Sequence, residues 1–277
     1  MQQKHILAVH DISCMGRCSL TIALPVISAA GITVSVMPTA VLSTHTGGLT
    51  GYTYRDLTSD MLSIADHWKS LREGFYFDAI YTGYLGSKEQ LRIVAELVRR
   101  FKGPDTLVII DPVMADDGSL YAGFSDDFPK GMVDLCVRAD VISPNMTEAL
   151  LMLDEPYQEG PYSREFIRDI LKRLATKKVV LTGVYFDDEA CGAAAYDNGD
   201  VHFALKKRVP GKYHGTGDLF ASVLTAALVS GKPLDIATDI AVEFTAGSIS
   251  RTYKAGTDVR YGVNFELGLA GLAGMVK

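Results

Sequence analysis

A glycine turn running into an acid is where residue types and spacing first suggest chemistry in this sequence. His214-Gly215-Thr216-Gly217-Asp218 opens an alanine-rich apolar stretch that reaches Gly231 without a further Gly or Pro, the pattern of a buried helix with a glycine stop. A helix start presents unpaired backbone N–H groups and the positive end of the helix dipole, and flanking glycines let a phosphate come close to them. Asp218 sets a carboxylate at the same spot, so the turn suggests a base that deprotonates a nucleophile beside a phosphate. The plainer alternative is that Asp218 only caps its helix. Two familiar nucleotide patterns do not fit: the chain has no G-x-x-x-x-G-K-[ST] match, and Gly215–Phe220 lacks the third glycine of G-x-G-x-x-G.

Two more acids share a context with Asp218. Asp111 directly follows a continuous apolar run, and Glu148 lies a few residues beyond another short one. Carboxylates gathered at one sheet edge suggest a hard divalent cation that neutralises phosphate oxygens, although each acid could instead cap the helix that follows it. Other polar residues expected at strand ends are His10, Asp11 and Ser13, then Ser43, Thr44, His45 and Thr46, then Thr82 and Tyr84. Asp116, Asp117, Ser143, Asn145 and Thr182 complete the set. His45 could equally be a packed or surface histidine, and Tyr84 plain packing. The acidic groups Asp126-Asp127 and Asp187-Asp188-Glu189 read as solvated loop charge.

The elements that must position these residues alternate along the chain. Strands are predicted at Ile6–Val9, Thr33–Met37, Asp78–Tyr81, Thr106–Ile110, Asp140–Ile142 and Lys178–Leu181, with a hairpin of Gly192–Tyr196 and Val201–Leu205 turning at Asp197-Asn198-Gly199-Asp200. Helices are predicted at Ser19–Ala30, Tyr54–Arg72, Ser87–Phe101, after Pro144-Asn145, at Ser163–Ala175, from the Gly215 turn, at Leu234–Tyr253 and at Phe265–Val276. Ser43–Gly51 reads as a glycine-rich loop. The alternation implies an α/β fold, a three-layer α/β/α sandwich with a mostly parallel sheet, and one domain over residues 1–277. Ligands of such sheets sit outside the carboxyl ends of the strands.

Composition narrows the partners. A net charge of −6 over 277 residues, with a pI near 5.5, argues against nucleic acid or an anionic membrane but leaves room for a small anionic substrate. No stretch resembles a signal peptide or a membrane span. Cys14, Cys18, Cys136 and Cys191 show no paired C-x-x-C spacing and read as buried free thiols in a reducing cytosol.

Five segments in register resemble one family. Ser43-Thr44-His45-Thr46-Gly47 resembles the S-x-H-T-G substrate loop of the pyridoxal (vitamin B6) kinases, members of the ribokinase-like superfamily, and Thr82-Gly83-Tyr84 resembles their T-G-Y turn. Asp111-Pro112-Val113, with Asp116 and Tyr121 downstream, resembles the D-P-V segment; Ser143-Pro144-Asn145 with Glu148-Ala149 resembles T-P-N-x-x-E-A; Gly215–Phe220 resembles the G-T-G-D-L-F anion hole. The resemblance implies that Asp218 removes the proton of a 5′-hydroxymethyl group while the N–H groups of Gly215, Thr216 and Gly217 hold the γ-phosphoryl charge. It implies ATP contacts from Asp111, Tyr121, Ser143, Asn145, Glu148, Thr182 and Thr216, Mg²⁺ arranged by Asp111 and Glu148 with Asp116 near a cation, and leaves a monovalent cation open. Asp11, Ser13, His45, Thr46, Tyr84 and Asp218 would line the vitamin. Such kinases are typically cytoplasmic homodimers without the separate lid of ribokinase proper.

One position departs from that pattern. Asp11 stands where many pyridoxal kinases carry a serine, and Asp11–Gly16 is similar to the D-x-S-G-G loop of hydroxymethylpyrimidine kinases. An acid there could prefer an amine on the substrate. Hydroxymethylpyrimidine is therefore the second substrate reading, a sugar the third, and a non-catalytic sensor with the same fold the reading from another class. The presence of Asp218, Asp111 and Glu148 favours the enzyme.

Overall fold

A computed structural model describes residues 3–71, 75–174 and 178–277. In chain order its elements are β1 His5–Met15, α1 Leu20–Ala29, β2 Thr33–Thr44, β3 Tyr54–Asp56, α2 Thr58–Leu71, β4 Phe77–Thr82, α3 Lys88–Phe101 and β5 Lys102–Ile110. They continue with β6 Ala115–Asp116, β7 Ser119–Leu120, α4 Phe128–Cys136, β8 Val141–Ile142, α5 Met146–Met152, α6 Arg164–Leu174 and β9 Lys178–Val184. The described residues close with β10 Ala190–Asp197, β11 Asp200–Lys207, α7 Thr216–Val229, α8 Leu234–Ala255 and α9 Leu269–Val276.

The main sheet runs β11-β10-β9-β8-β5-β4-β1-β2-β3. The six strands from β9 to β2 pair in parallel, and both edges are antiparallel: the β10–β11 hairpin on one side and β3 on the other. Helices cover both faces, which is why the central strands read as apolar runs rather than alternating ones. On one face α2 to α6 pack over Leu7, Val9, Ile80, Val108, Ile110 and Leu181. On the other, α1, α7, α8 and α9 pack over Ile6, Ala79, Tyr81, Ile109 and Val180. Along α7 every residue from Leu219 to Ala227 is buried. Its alanines let α1 and α8 approach closely, so enlarging one of them, as in Ala226→Leu, would overpack the seam by about 1–3 kcal/mol.

Several boundaries differ from the sequence expectation, each for a physical reason. The expected strands Ile6–Val9 and Thr33–Met37 stop where polar residues begin, yet β1 and β2 continue to Met15 and Thr44, paired to each other throughout. Ser43 and Thr44 thus belong to a strand rather than to the glycine-rich loop. The β1–β2 register shifts between His10 and Ile12, just beyond Pro38, whose ring nitrogen has no N–H to give to the ladder. Tyr54–Asp56, expected to begin a helix, is the edge strand β3, and α2 starts only at Thr58. The expected helix ends at Arg72 and Ala175 lie outside the described residues. Of the four thiols only Cys136 is buried; Cys14 is exposed, and Cys18 and Cys191 are partly so, which corrects the expectation that all four are buried. Among the described residues no helix is long and apolar enough to cross a membrane.

Candidate active site

Gly215 begins α7 in the left-handed region, at φ 72° and ψ 4°. A Cβ there would fall 2.2 Å from the Arg17 carbonyl oxygen, so the position needs both the conformation and the missing side chain of glycine. Glycine has nothing to cap with, so its own residue makes no side-chain cap bond to this helix start. Among the described residues no acceptor engages the N–H groups of Gly215, Thr216 or Gly217. The first turn of α7 is therefore available to an anion.

Asp218, at the third helical position, does not cap its own helix. Its Oδ2 accepts the backbone N–H of Ser19 at 2.8 Å and the Cys18 thiol at 3.1 Å, both from the segment between β1 and α1. The capping alternative for Asp218 is not what the fold uses.

The other two acids follow parallel strands at the same edge of the sheet. Asp111, buried at the end of β5, has its carboxyl pushed well above the usual range, first by burial and then by the charges of Glu148 and Asp218. Glu148 is buried at the third position of α5, where burial also pushes its carboxyl up while backbone N–H groups pull it back. Those donors are Met114 N to Oε1 at 3.0 Å and Asn145 N to Oε2 at 2.9 Å. Asn145 completes a capping box by accepting Glu148 N at 2.9 Å and donates its amide to the Ala115 carbonyl at 2.8 Å. Asp111, in contrast, accepts no hydrogen bond on its carboxylate from the described residues. Ser143 follows β8 with its buried hydroxyl unpartnered among the described residues, and Thr182, within β9, bridges to Asn145. Tyr121 has its phenol pushed up by burial and by the charges of Glu148, Asp116, Asp218 and Asp111, which puts it on the same side. Asp116 is exposed on β6.

A second group lies on the β1 side. Asp11 is buried and its carboxyl is pushed up to about 6 by burial, with the Ser19 and Ser13 hydroxyls opposing and the charge of Asp218 adding to the rise. Ser13 donates to Asp11 Oδ2 at 3.1 Å. The Tyr84 phenol is pushed up by burial, by Tyr54 and by Asp11, so it neighbours the same carboxylate. His45 is buried; its Nδ1 accepts Gly47 N at 3.1 Å, which leaves Nε2–H to donate to the Arg260 carbonyl. Its ring lies 5.2 Å from that of His214, joining the segment after β2 to the α7 turn. Thr46 is exposed at the tip of this loop.

Sequence reasoning named His214 only as the first residue of the turn and gave Cys18 and Ser19 no part in the site. Cys18 and Ser19 stand 200 and 199 residues from Asp218, and no spacing rule links them. Nor did it explain Gly83: a Cβ there would fall 1.6 Å from Cε1 of His10. His10 is fully buried, both ring nitrogens have no hydrogen-bond partner among the described residues, and burial lowers its imidazole to about 4 against the opposing charge of Asp218. It is therefore a neutral packing ring, and the T-G-Y glycine makes room for it.

A parallel sheet covered on both faces, with three acids and an uncapped glycine helix start gathered at its carboxyl edge, defines a small-molecule kinase of the ribokinase-like class. The chain belongs to the phosphomethylpyrimidine kinase family, whose sequence profile matches residues 24–263. It is similar to the pyridoxal kinase of Lactobacillus plantarum, at 32% identity and a TM-score of 0.90 over 99% of this chain and 98% of that one. A Bacteroides thetaiotaomicron protein provisionally assigned as a phosphomethylpyrimidine kinase, crystallised with pyridoxal, is 40% identical at a TM-score of 0.92, covering 98% and 96%. Among curated relatives, a pyridoxine/pyridoxal/pyridoxamine kinase of Bordetella avium is 28% identical, with 89% of this chain and 85% of that protein covered. A thiamine biosynthesis multifunctional protein of Corynebacterium efficiens is 29% identical, but this chain, 87% covered, spans only 32% of it.

Proposed function

We propose that this kinase transfers the γ-phosphoryl group of ATP to the 5′-hydroxymethyl group of pyridoxal, pyridoxamine or pyridoxine, yielding the 5′-phosphate for salvage. The observation that carries the reading is Asp218, tied through Oδ2 beside a helix start whose first N–H groups have no acceptor among the described residues. Asp218 takes the hydroxyl proton as the substrate oxygen bonds to phosphorus and the bond from phosphorus to the ADP oxygen breaks. The N–H groups of Gly215, Thr216 and Gly217 hold the charge on the transferring group, where preorganised donors act most strongly. The similarity to a pyridoxal kinase and to a protein crystallised with pyridoxal supports the vitamin as substrate.

Asp11, Ser13, His45, Thr46 and Tyr84 line the vitamin in this reading, and Tyr121, Ser143, Asn145, Thr182 and Thr216 the nucleotide. Among the described residues no three His, Cys, Asp or Glu side chains are grouped to hold a metal by themselves. Mg²⁺ would be bound through ATP phosphates and one or two carboxylates. Asp111, with its carboxylate unbonded, would be the direct contact, Glu148 would act through its charge on bound water, and exposed Asp116 would lie at the margin. When bound, Mg²⁺ neutralises phosphate charge. A homodimer, a cytoplasmic location, one domain over 1–277 and a monovalent cation belong to the same proposal.

The family profile and the thiamine-related relative favour a second reading, a hydroxymethylpyrimidine substrate, and Asp11 is the residue that would choose. The test is one steady-state assay with ATP and Mg²⁺ comparing the three B6 compounds and hydroxymethylpyrimidine by kcat/KM, for the wild type and Asp11→Ser. A bias to the B6 compounds, moving towards pyridoxal in the variant, is expected. Preference for the pyrimidine would transfer the chain to the second reading, and unchanged ratios in Asp11→Ser would remove the role of Asp11.

A further inference from the structure

Asp218 has two carboxylate oxygens and the fold treats them differently. Oδ2 accepts both the Ser19 N–H and the Cys18 thiol, whereas Oδ1 accepts nothing from the described residues. The donors come from an elbow, residues 16–19, that is itself fixed. Arg17 N donates to the Tyr261 carbonyl at 3.0 Å. Cys18 N donates to the Thr21 hydroxyl at 3.1 Å, and that hydroxyl lies 3.1 Å from the Gly16 carbonyl and 2.7 Å from the Cys18 carbonyl.

Ser19 adds an independent sign. Its backbone sits at φ 54° and ψ −129°, a region used almost only by glycine, although it is a buried serine. Such a conformation persists only where surrounding structure over-determines it. Here it accompanies the N–H of Ser19, the residue before α1, donating to Asp218 Oδ2. Burial and the charges of Asp218 and Asp11 push the Cys18 thiol well up, so sulfur keeps its proton and remains a donor. A reactive thiolate is the opposite case.

We propose that the Cys18–Ser19 elbow is a positioning clamp for the base: it fixes Oδ2 of Asp218 so that Oδ1 alone faces the hydroxyl to be deprotonated. Cys18 is thus a positioning residue that acts through Asp218. The clamp rests on the reading of Asp218 as the base, and the experiment separates the two.

Wild type, Cys18→Ala, Cys18→Ser, Asp218→Asn and the double variant Cys18→Ala/Asp218→Asn are compared for kcat and for KM of ATP and pyridoxal. Losing one donor to a reacting carboxylate is expected to lower kcat by about tenfold in Cys18→Ala with KM for ATP within about twofold. Cys18→Ser, which keeps a donor, is expected within about threefold of wild type. In the Asp218→Asn background the alanine substitution should cost less than about twofold, because residues acting as a unit are non-additive. An equal loss in both backgrounds would show a merely structural role and overturn the clamp, as would wild-type kcat in Cys18→Ala beside an inactive Asp218→Asn. Near-wild-type activity in Asp218→Asn would instead overturn the base reading and the clamp with it. Should Cys18→Ala not fold, Cys18→Val, which fills the space without a donor, carries the same comparison.

Discussion

The helices α5 and α7 begin at the same edge of the sheet, each with an acid at its third position, and use that acid in opposite ways. At α5 the residue before the helix is Asn145, which accepts Glu148 N while Glu148 accepts Asn145 N, so the start satisfies itself. At α7 the corresponding residue is Gly215, which has no side chain to offer, and Asp218 is drawn instead to Cys18 and Ser19. The residue before the helix decides what the acid can do. Asparagine ties the carboxylate into its own helix start; glycine leaves that start without a side-chain partner among the described residues and the acid free to bond elsewhere.

The comparison breaks most visibly at its reactive end. Asp218→Asn is expected to lower kcat by about 10²–10⁴ with ATP binding largely intact, read by steady-state kinetics alongside nucleotide titration. Survival of activity within a few-fold would mean that the two acids differ less than their surroundings suggest. The next effect concerns the acids crowded around the uncapped start. Asp11 has a folded-state carboxyl near 6 against an unfolded value of 3.8, so the native state holds its proton more tightly. Its contribution to stability is full below about pH 4 and is lost as pH rises through about 6, on the order of 2–3 kcal/mol in all. Denaturant titrations between pH 4 and 7 should show Asp11→Asn flattening that fall, and an unaltered slope would assign the fall to other groups. The smallest effect belongs to the satisfied start: Asn145→Ala should destabilise by about 0.5–2 kcal/mol in the same titrations, the ordinary loss of a cap. Any loss of kcat there should stay far below that of Asp218→Asn.

Much of this was legible beforehand, and the exceptions share a cause. α3 was readable because Ser87 caps it and its apolar residues recur on one face, and Ser87 does accept Gln90 N. The β10–β11 hairpin was readable from Asn198-Gly199. α4 was not predicted: Pro129 lies in its first turn, where proline is tolerated, and a Cβ at Gly131 would press on a Leu91 methyl carbon. The ends of β1 and β2 escaped because Asp11, Ser13 and Ser43 are polar residues within strands, a pattern that pairing can impose and local composition cannot reveal. The acids Asp111, Glu148 and Asp218 could each be named from what precedes them. What holds Asp218 could not, because its donors are remote in sequence and their relation is purely tertiary.

That remoteness has a consequence for how the molecule comes into being. One face of the sheet is covered by α1 together with α7, α8 and α9, so the apolar side chains of β1 and β4 on that face have little cover until the later helices exist. A ribosome that has released the first two hundred residues has already made the elbow at Cys18 but not the acid it grips. High separation between partners slows folding and lengthens the time that apolar surface stays exposed. During synthesis the kinase is therefore a half-covered sheet, and Asp218 acquires its partners only when that second face closes.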